Sequence, residues 1–178
     1  EREDWDLVYQ LQVLDLSYGH WKTDYHLRDL YADLANVKIE DEKAYIPVTG
    51  LERSKIKSIL NTYAANEQKI ILMHTTSGWR LKDWDYQKYP LLIKKIRDNY
   101  NTRIFQVGGS NDTAIEDKNI IHLQGKLTLK ETAALMEYSN LLICPDSGPM
   151  HMASAVGLAT VALFGPTNPA KVGPVNGN

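Results

Sequence analysis

Short, continuously apolar runs alternate with longer stretches of helical period along most of this chain, and that alternation limits the fold more than any other feature. Runs of strand character fall at residues 7–11, 70–73, 104–107, 120–123, 141–144 and 160–164, and helical patterns at 24–35, 51–64, 86–100, 129–138 and 151–156. A strand apolar on both sides must be covered on both sides. The order therefore predicts an α/β fold, a Rossmann-like parallel sheet with helices on both faces. Thr128 followed by Glu131 reads as a capping box, which fixes one helix start. A further short strand is expected at 45–47, just before Thr49-Gly50.

From about Leu51 a fresh alternation of strands and helices begins. Residues 1–50 offer one strand and one helix, too little for a core, and read as the remnant of a preceding domain with its linker. Residues 51–178 read as the Rossmann-like domain itself, incomplete at its Gly/Pro-rich end. Both ends look like cuts in a longer protein.

Charge narrows the function. Lys plus Arg total 20 and Asp plus Glu 22, so the net charge is 20 − 22 = −2, with no basic run to grip a nucleic-acid backbone. The single cysteine, Cys144, excludes an intramolecular disulfide and a Cys-rich zinc site, and reads as a small buried hydrophobe. No metal site is expected, since His20, His26 and His122 have no partners at ligand spacing. The charged start, Glu1 to Asp6, lacks a signal peptide's apolar region, and no run reaches the roughly 18 apolar residues that span a bilayer. A soluble cytoplasmic protein follows as the expectation.

Four strand-to-turn transitions could carry chemistry. The most informative is Pro145-Asp146-Ser147-Gly148-Pro149-Met150-His151, where a buried strand ends and a helix opens. Ser147 is a natural N-cap, Gly148 lets a ligand approach the backbone, and Pro149 suits the first turn. Open helix amides and the positive end of the dipole favour an anion there. Open α/β sheets also bind ligands beyond the carboxyl ends of their strands. The plainer reading is a capping turn with Asp146 serving the local backbone. In His74-Thr75-Thr76-Ser77-Gly78-Trp79-Arg80-Leu81-Lys82, hydroxyls, amides and cations could hold a phosphate, or form a polar surface loop. Val107-Gly108-Gly109-Ser110-Asn111-Asp112 lacks dinucleotide-fingerprint spacing; Asp112 could bind a ribose or cap a short helix after it. Phe164-Gly165-Pro166-Thr167 could line a base pocket or be an ordinary turn.

Taken together these turns resemble the C-terminal half of glycosyltransferase family 9, the heptosyltransferases of lipopolysaccharide core assembly. The carrying residues are His74-Thr75-Thr76-Ser77 with Lys82-Asp83-Trp84, Val107-Gly108-Gly109 with Asp112, and Gly125-Lys126-Leu127-Thr128-Leu129. The most specific are Asp146-Ser147-Gly148-Pro149-Met150-His151-Met152-Ala153 and Phe164-Gly165-Pro166-Thr167-Asn168-Pro169. Trp5-Asp6-Leu7-Val8 is similar to a late strand of the family's N-terminal domain. The resemblance implies the GT-B architecture, two Rossmann-like domains across a cleft, of which this chain holds the donor-binding half. It implies that Thr76 or Ser77 and Lys82 contact the donor's phosphates and that Asp112 is an acidic donor-site residue. Asp146 would bind the donor sugar, with Ser147, Gly148 and His151 beside it at the helix start. Leu127, Thr128 and the turn at Gly165 would lie near the nucleoside. The loop from His74 to Trp84 is one residue longer than the family spacing, which leaves Thr76 and Ser77 as alternatives.

The implied reaction needs no cofactor or metal: a nucleotide-sugar, in this family ADP-heptose, is the donor, and a lipopolysaccharide or other glycan the acceptor. An acceptor hydroxyl attacks the anomeric carbon, a carboxylate takes its proton, and the nucleoside diphosphate leaves with the electron pair. The family's carboxylate stands near the start of the full-length protein and matches nothing here, so no catalytic residue is assigned. The chain alone is expected to bind donor and transfer no sugar; the full protein is expected at the inner membrane face. A non-catalytic nucleotide-sugar-binding fragment and a GT-B nucleotide-sugar epimerase are the alternatives.

Overall fold

The computed structural model describes residues 26–40, 44–64 and 67–175; the expected strand at 7–11 and the Trp5-to-Val8 motif lie outside them. Five strands, β1 (Lys69–Met73), β2 (Thr102–Gln106), β3 (Ile120–His122), β4 (Leu141–Pro145) and β5 (Thr160–Leu163), form one sheet in the order β3-β2-β1-β4-β5. Every pairing is parallel, with Leu72 opposite Phe105 on one side and Leu142 on the other. The chain winds outward from β1 to β3 and then returns to β4. The direction of winding thus reverses between β1 and β4, where such sheets open a crevice at their carboxyl ends.

Among the described residues six helices accompany the sheet: α1 (Leu27–Leu34), α2 (Gly50–Tyr63), α3 (Tyr89–Asn99), α4 (Leu129–Glu137), α5 (Gly148–Val156) and α6 (Pro169–Val172). Alternate strand residues supply the two cores. Leu72, Phe105, Leu142 and Cys144 pack with Ile56 of α2, Ala133 to Met136 of α4, and Met150 and Ala153 of α5. Ile71, Met73, Ile104, Ile120 and Ile143 pack on the opposite face with Tyr89 and Ile93 of α3. Each large side chain so buried contributes about 1.5–3 kcal/mol. This two-sided burial is why the strand runs are continuously apolar, and the expected α/β sheet with helices on both faces is observed. Cys144 is buried as expected, and that burial pushes its thiol up to about 12.

The expected capping box at Thr128 and Glu131 is formed, and Thr49 with Glu52 makes a second at the start of α2. Three local expectations fail. Residues 45–47 form no strand: Pro47 lacks an N–H for a ladder, and the segment instead delivers buried Val48 to the core. The helix expected over 86–100 is split. A 3-10 turn (Tyr86–Lys88) precedes α3, whose first turn holds Pro90, the place where a missing N–H costs nothing. The helix expected from His151 starts earlier, at Gly148.

No helix follows Asp112 either. The crossover from β2 to β3 is irregular, and its backbone is held by a side chain. Gln106, fully buried, accepts the Ile115 N–H through Oε1 at 2.8 Å and donates through Nε2 to the Thr113 carbonyl at 2.9 Å. An amide that both donates and accepts replaces the partners a helix would have supplied. Ile115 is thereby pinned in the α3-side core.

Candidate functional site

The loops after β1, β2, β4 and β5 converge at the carboxyl end of the sheet. Asp146, the residue after β4, is buried there, and two groups share its Oδ2: Lys82 Nζ at 2.9 Å and the Thr167 hydroxyl, which donates at 2.7 Å. Lys82 comes from a 3-10 turn (Arg80–Lys82) in the loop after β1, and Thr167 from the turn after β5. Gly165 lets these loops close on each other. A Cβ there would stand 3.0 Å from the Leu81 carbonyl oxygen, tighter than an ordinary contact with rigid backbone. Three of the four sequence motifs thus meet at one carboxylate. Lys82, a candidate phosphate ligand in the sequence, is paired here with Asp146. A buried pair of this kind is costly to break from one side only.

Beside it lies a second cluster. His74, 7% exposed, follows β1; its Nε2 is 3.3 Å from Asp112 Oδ2 and its Nδ1 3.0 Å from the Ser147 hydroxyl. Asp112 Oδ2 also accepts the Gly109 N–H at 2.9 Å. Burial pulls the His74 ring below its ordinary pKa, and the Asp112 carboxylate only partly offsets this, so the ring is neutral at pH 7. Gly108, at φ +148°, is where a side chain would collide with the Asp112 carboxylate and press on the His74 ring. A further contact ties the clusters to the fold: the Thr75 hydroxyl takes a hydrogen bond from Gln106 Nε2 at 3.1 Å.

Ser147 occupies the N-cap position of α5 as expected, yet its side chain caps nothing. Around Gly148 the space is open, with no atom within 4 Å of where a Cβ would stand. His151, exposed on the first turn of α5, has its pKa lowered by partial burial against the pull of Asp146. Of the two alternatives in the β1 loop, Ser77 is engaged locally. Its N–H donates to Asp83 at 2.7 Å and its hydroxyl to the Trp79 carbonyl at 2.7 Å. Thr76 stands only near the Thr75 hydroxyl, at 3.4 Å. Thr128 serves the α4 capping box, and Leu127 packs on the α4-side core, so neither is brought to the Asp146 cluster by any recorded contact. His122, half-buried on edge strand β3, meets Gln106 Oε1 at 3.2 Å. Sequence reasoning gave His74, Gln106 and Thr167 no role of their own. Their one signal was a polar residue directly at the end of an apolar strand, or a hydroxyl in the quoted turn.

The family model described as glycosyltransferase family 9 (heptosyltransferase) matches residues 8–178. The chain belongs to this family. Among relatives, it is 36% identical over 118 residues to the lipopolysaccharide core heptosyltransferase OpsX of Haemophilus influenzae, covering 61% of this chain and 34% of that protein. It is 29% identical over 107 residues to lipopolysaccharide heptosyltransferase 3 of Escherichia coli, covering 55% and 31%. This family 9 chain therefore spans about a third of the length of the curated relatives it matches. Its fold superposes on the glycosyltransferase family 9 protein of Veillonella parvula with a TM-score of 0.75 at 25% identity, covering 88% of this chain and 48% of that one. The E. coli heptosyltransferase WaaC solved with ADP shares the fold at a TM-score of 0.56 and 16% identity, over 83% and 45%.

Proposed function

We propose that this chain supplies the donor half of a heptosyltransferase, binding an ADP-sugar of the ADP-heptose class for transfer to a lipopolysaccharide or related glycan acceptor. The observation that carries the reading is the Lys82–Asp146 pair set beside the open start of α5 at the sheet's carboxyl end. A diphosphate fits that arrangement: the amide at the helix start and the Lys82 ammonium stand where charge accumulates as the sugar–phosphate bond breaks. Asp146 aims Lys82 and presents a carboxylate to sugar hydroxyls. Thr76, rather than Ser77, supplies the free hydroxyl to the phosphates, and His151 flanks them. Leu127, Thr128 and Gly165 border the nucleoside, and Asp112 acts through His74. Residues 1–50 belong to the acceptor side and linker. The catalytic carboxylate is contributed from outside the matched motifs, and the whole protein works at the inner face of the membrane. Among the described residues no helix is long and apolar enough to cross it.

Titration calorimetry with ADP, and UDP as control, tests the reading. ADP should bind in preference to UDP and more weakly as salt rises. Lys82→Ala should cost about 1.5–3 kcal/mol of that affinity, the worth of a hydrogen bond to a charged group. Asp146→Ala should weaken an ADP-sugar more than ADP. Absence of ADP binding by the wild-type chain, or equal affinity in Lys82→Ala, overturns it.

A further inference from the structure

The serine that opens α5 behaves unlike an ordinary N-cap. Ser147 has the extended backbone that a cap requires (φ −157°, ψ 169°), in which a serine oxygen ordinarily accepts the N–H of the third helical residue, here Met150. Its hydroxyl is instead 3.0 Å from His74 Nδ1 and 3.1 Å from the Pro145 carbonyl. Met150 N–H reaches only the Ser147 carbonyl, at 3.1 Å. Pro149 has no N–H. The first turn therefore presents the Gly148 amide, with the Met150 N–H turned onto the Ser147 carbonyl, and a hydroxyl swung onto Met150 would occupy the place of a ligand oxygen.

His74, with the Pro145 carbonyl, keeps the hydroxyl away, and the ring cannot follow it. Its Nε2 faces Asp112 Oδ2, a carboxylate anchored by the Gly109 N–H, and Gly108 leaves both no slack. With the single ring proton on Nε2 toward Asp112, Nδ1 is an acceptor, and the Ser147 O–H is shared between it and the Pro145 carbonyl. We propose that His74 is a positioning residue of the donor site: by engaging the Ser147 hydroxyl it holds α5 uncapped, so that the donor's diphosphate becomes the cap. The inference rests on the donor reading above and adds a residue that touches neither substrate nor the reacting atoms.

ADP titration calorimetry on the 178-residue chain, with thermal melts alongside, tests it. His74→Leu frees the hydroxyl to cap α5 and should weaken ADP binding about fivefold to tenfold, the worth of one neutral hydrogen bond. Adding Ser147→Ala to His74→Leu removes the competing cap and should recover most of that loss. His74→Asn sets an amide where Nδ1 lies and should stay near wild-type affinity, whereas His74→Gln reaches only toward Asp112 and should be weak. The Asn and Gln pair decides the matter should His74→Leu fail to fold. Equal affinity across wild type and the His74 variants overturns the inference alone. So does a double variant weaker than His74→Leu, which would mean that the hydroxyl itself binds ligand. A wild-type chain that binds no ADP removes this inference and the donor reading together.

Discussion

The two ends of one sheet differ in kind. At the amino end, the chain enters β1 and β2 beside a shallow depression lined by Arg97, Asn99, Asn101 and Thr102 that opens to solvent. At the carboxyl end stand His74, Thr75, Gln106 and Asp146, every buried polar residue among those described. Burying a polar group without a partner costs about 1–3 kcal/mol, and each of the four has partners: Thr75 and Gln106 bond each other, His74 meets Asp112 and Ser147, and Asp146 meets Lys82 and Thr167. Between the ends lies an apolar middle. The strand centres and Gln106 make the fold, whereas His74 and Asp146 at the strand tips are buried side chains that hold no backbone group in place.

Changes at the middle and at the tips should therefore fail differently. The largest effect is expected in the middle: Phe105→Ala, which empties a fully buried ring site, should cost about 3–5 kcal/mol in urea unfolding. Its remaining folded fraction should keep the site's ligand preferences. Gln106→Leu comes next. It orphans the Ile115 N–H and the Thr113 carbonyl and should cost about 1–3 kcal/mol. It should also loosen amide-exchange protection at residues 113–115 first, whereas Phe105→Ala should loosen the whole sheet; identical exchange patterns would erase the distinction. Acid comes third. Burial lowers the pKa of both His74 and His151, so the unfolded chain binds protons more readily than the folded one. Stability is whole above the unfolded histidine pKa of about 6.5 and declines as pH falls below it. His74→Asn should shallow that decline, as read from melting temperature between neutral and mildly acid pH. The smallest change belongs on the surface, where Arg53→Ala breaks an exposed 2.7 Å pair with Glu137 that solvent screens, and should leave the urea midpoint almost unmoved.

What the sequence disclosed follows the same division. Runs such as Ile104–Val107 and Leu141–Cys144 announced buried strands, and Thr128 with Glu131 a helix start, because those signals are local. Tyr45 to Pro47 misled as a strand, since an apolar triplet reads alike whether it pairs with a neighbour or merely covers a core. The segment after Asp112 misled as a helix because the group that satisfies its backbone, Gln106, sits on the preceding strand. Asp146 and Lys82 were legible as candidates through their motifs, but their union was not. It depends on Gly165 and Thr167 bringing the β5 turn against the β1 loop, a long-range contact that no spacing records.

Cys144 gives this architecture an internal clock. It is the chain's sole cysteine, seated in β4 two residues before Asp146 and closed off from solvent between the helices and the sheet. A thiol held near a pKa of 12 is unreactive toward disulfide reagents until the strand comes free, so labelling records each opening of that strand. A ligand resting on the tip of β4 must leave before the strand can open. Labelling should then slow by the factor 1 + [L]/Kd, and a simple absorbance trace would weigh an unmarked nucleotide against the breathing of the protein that holds it.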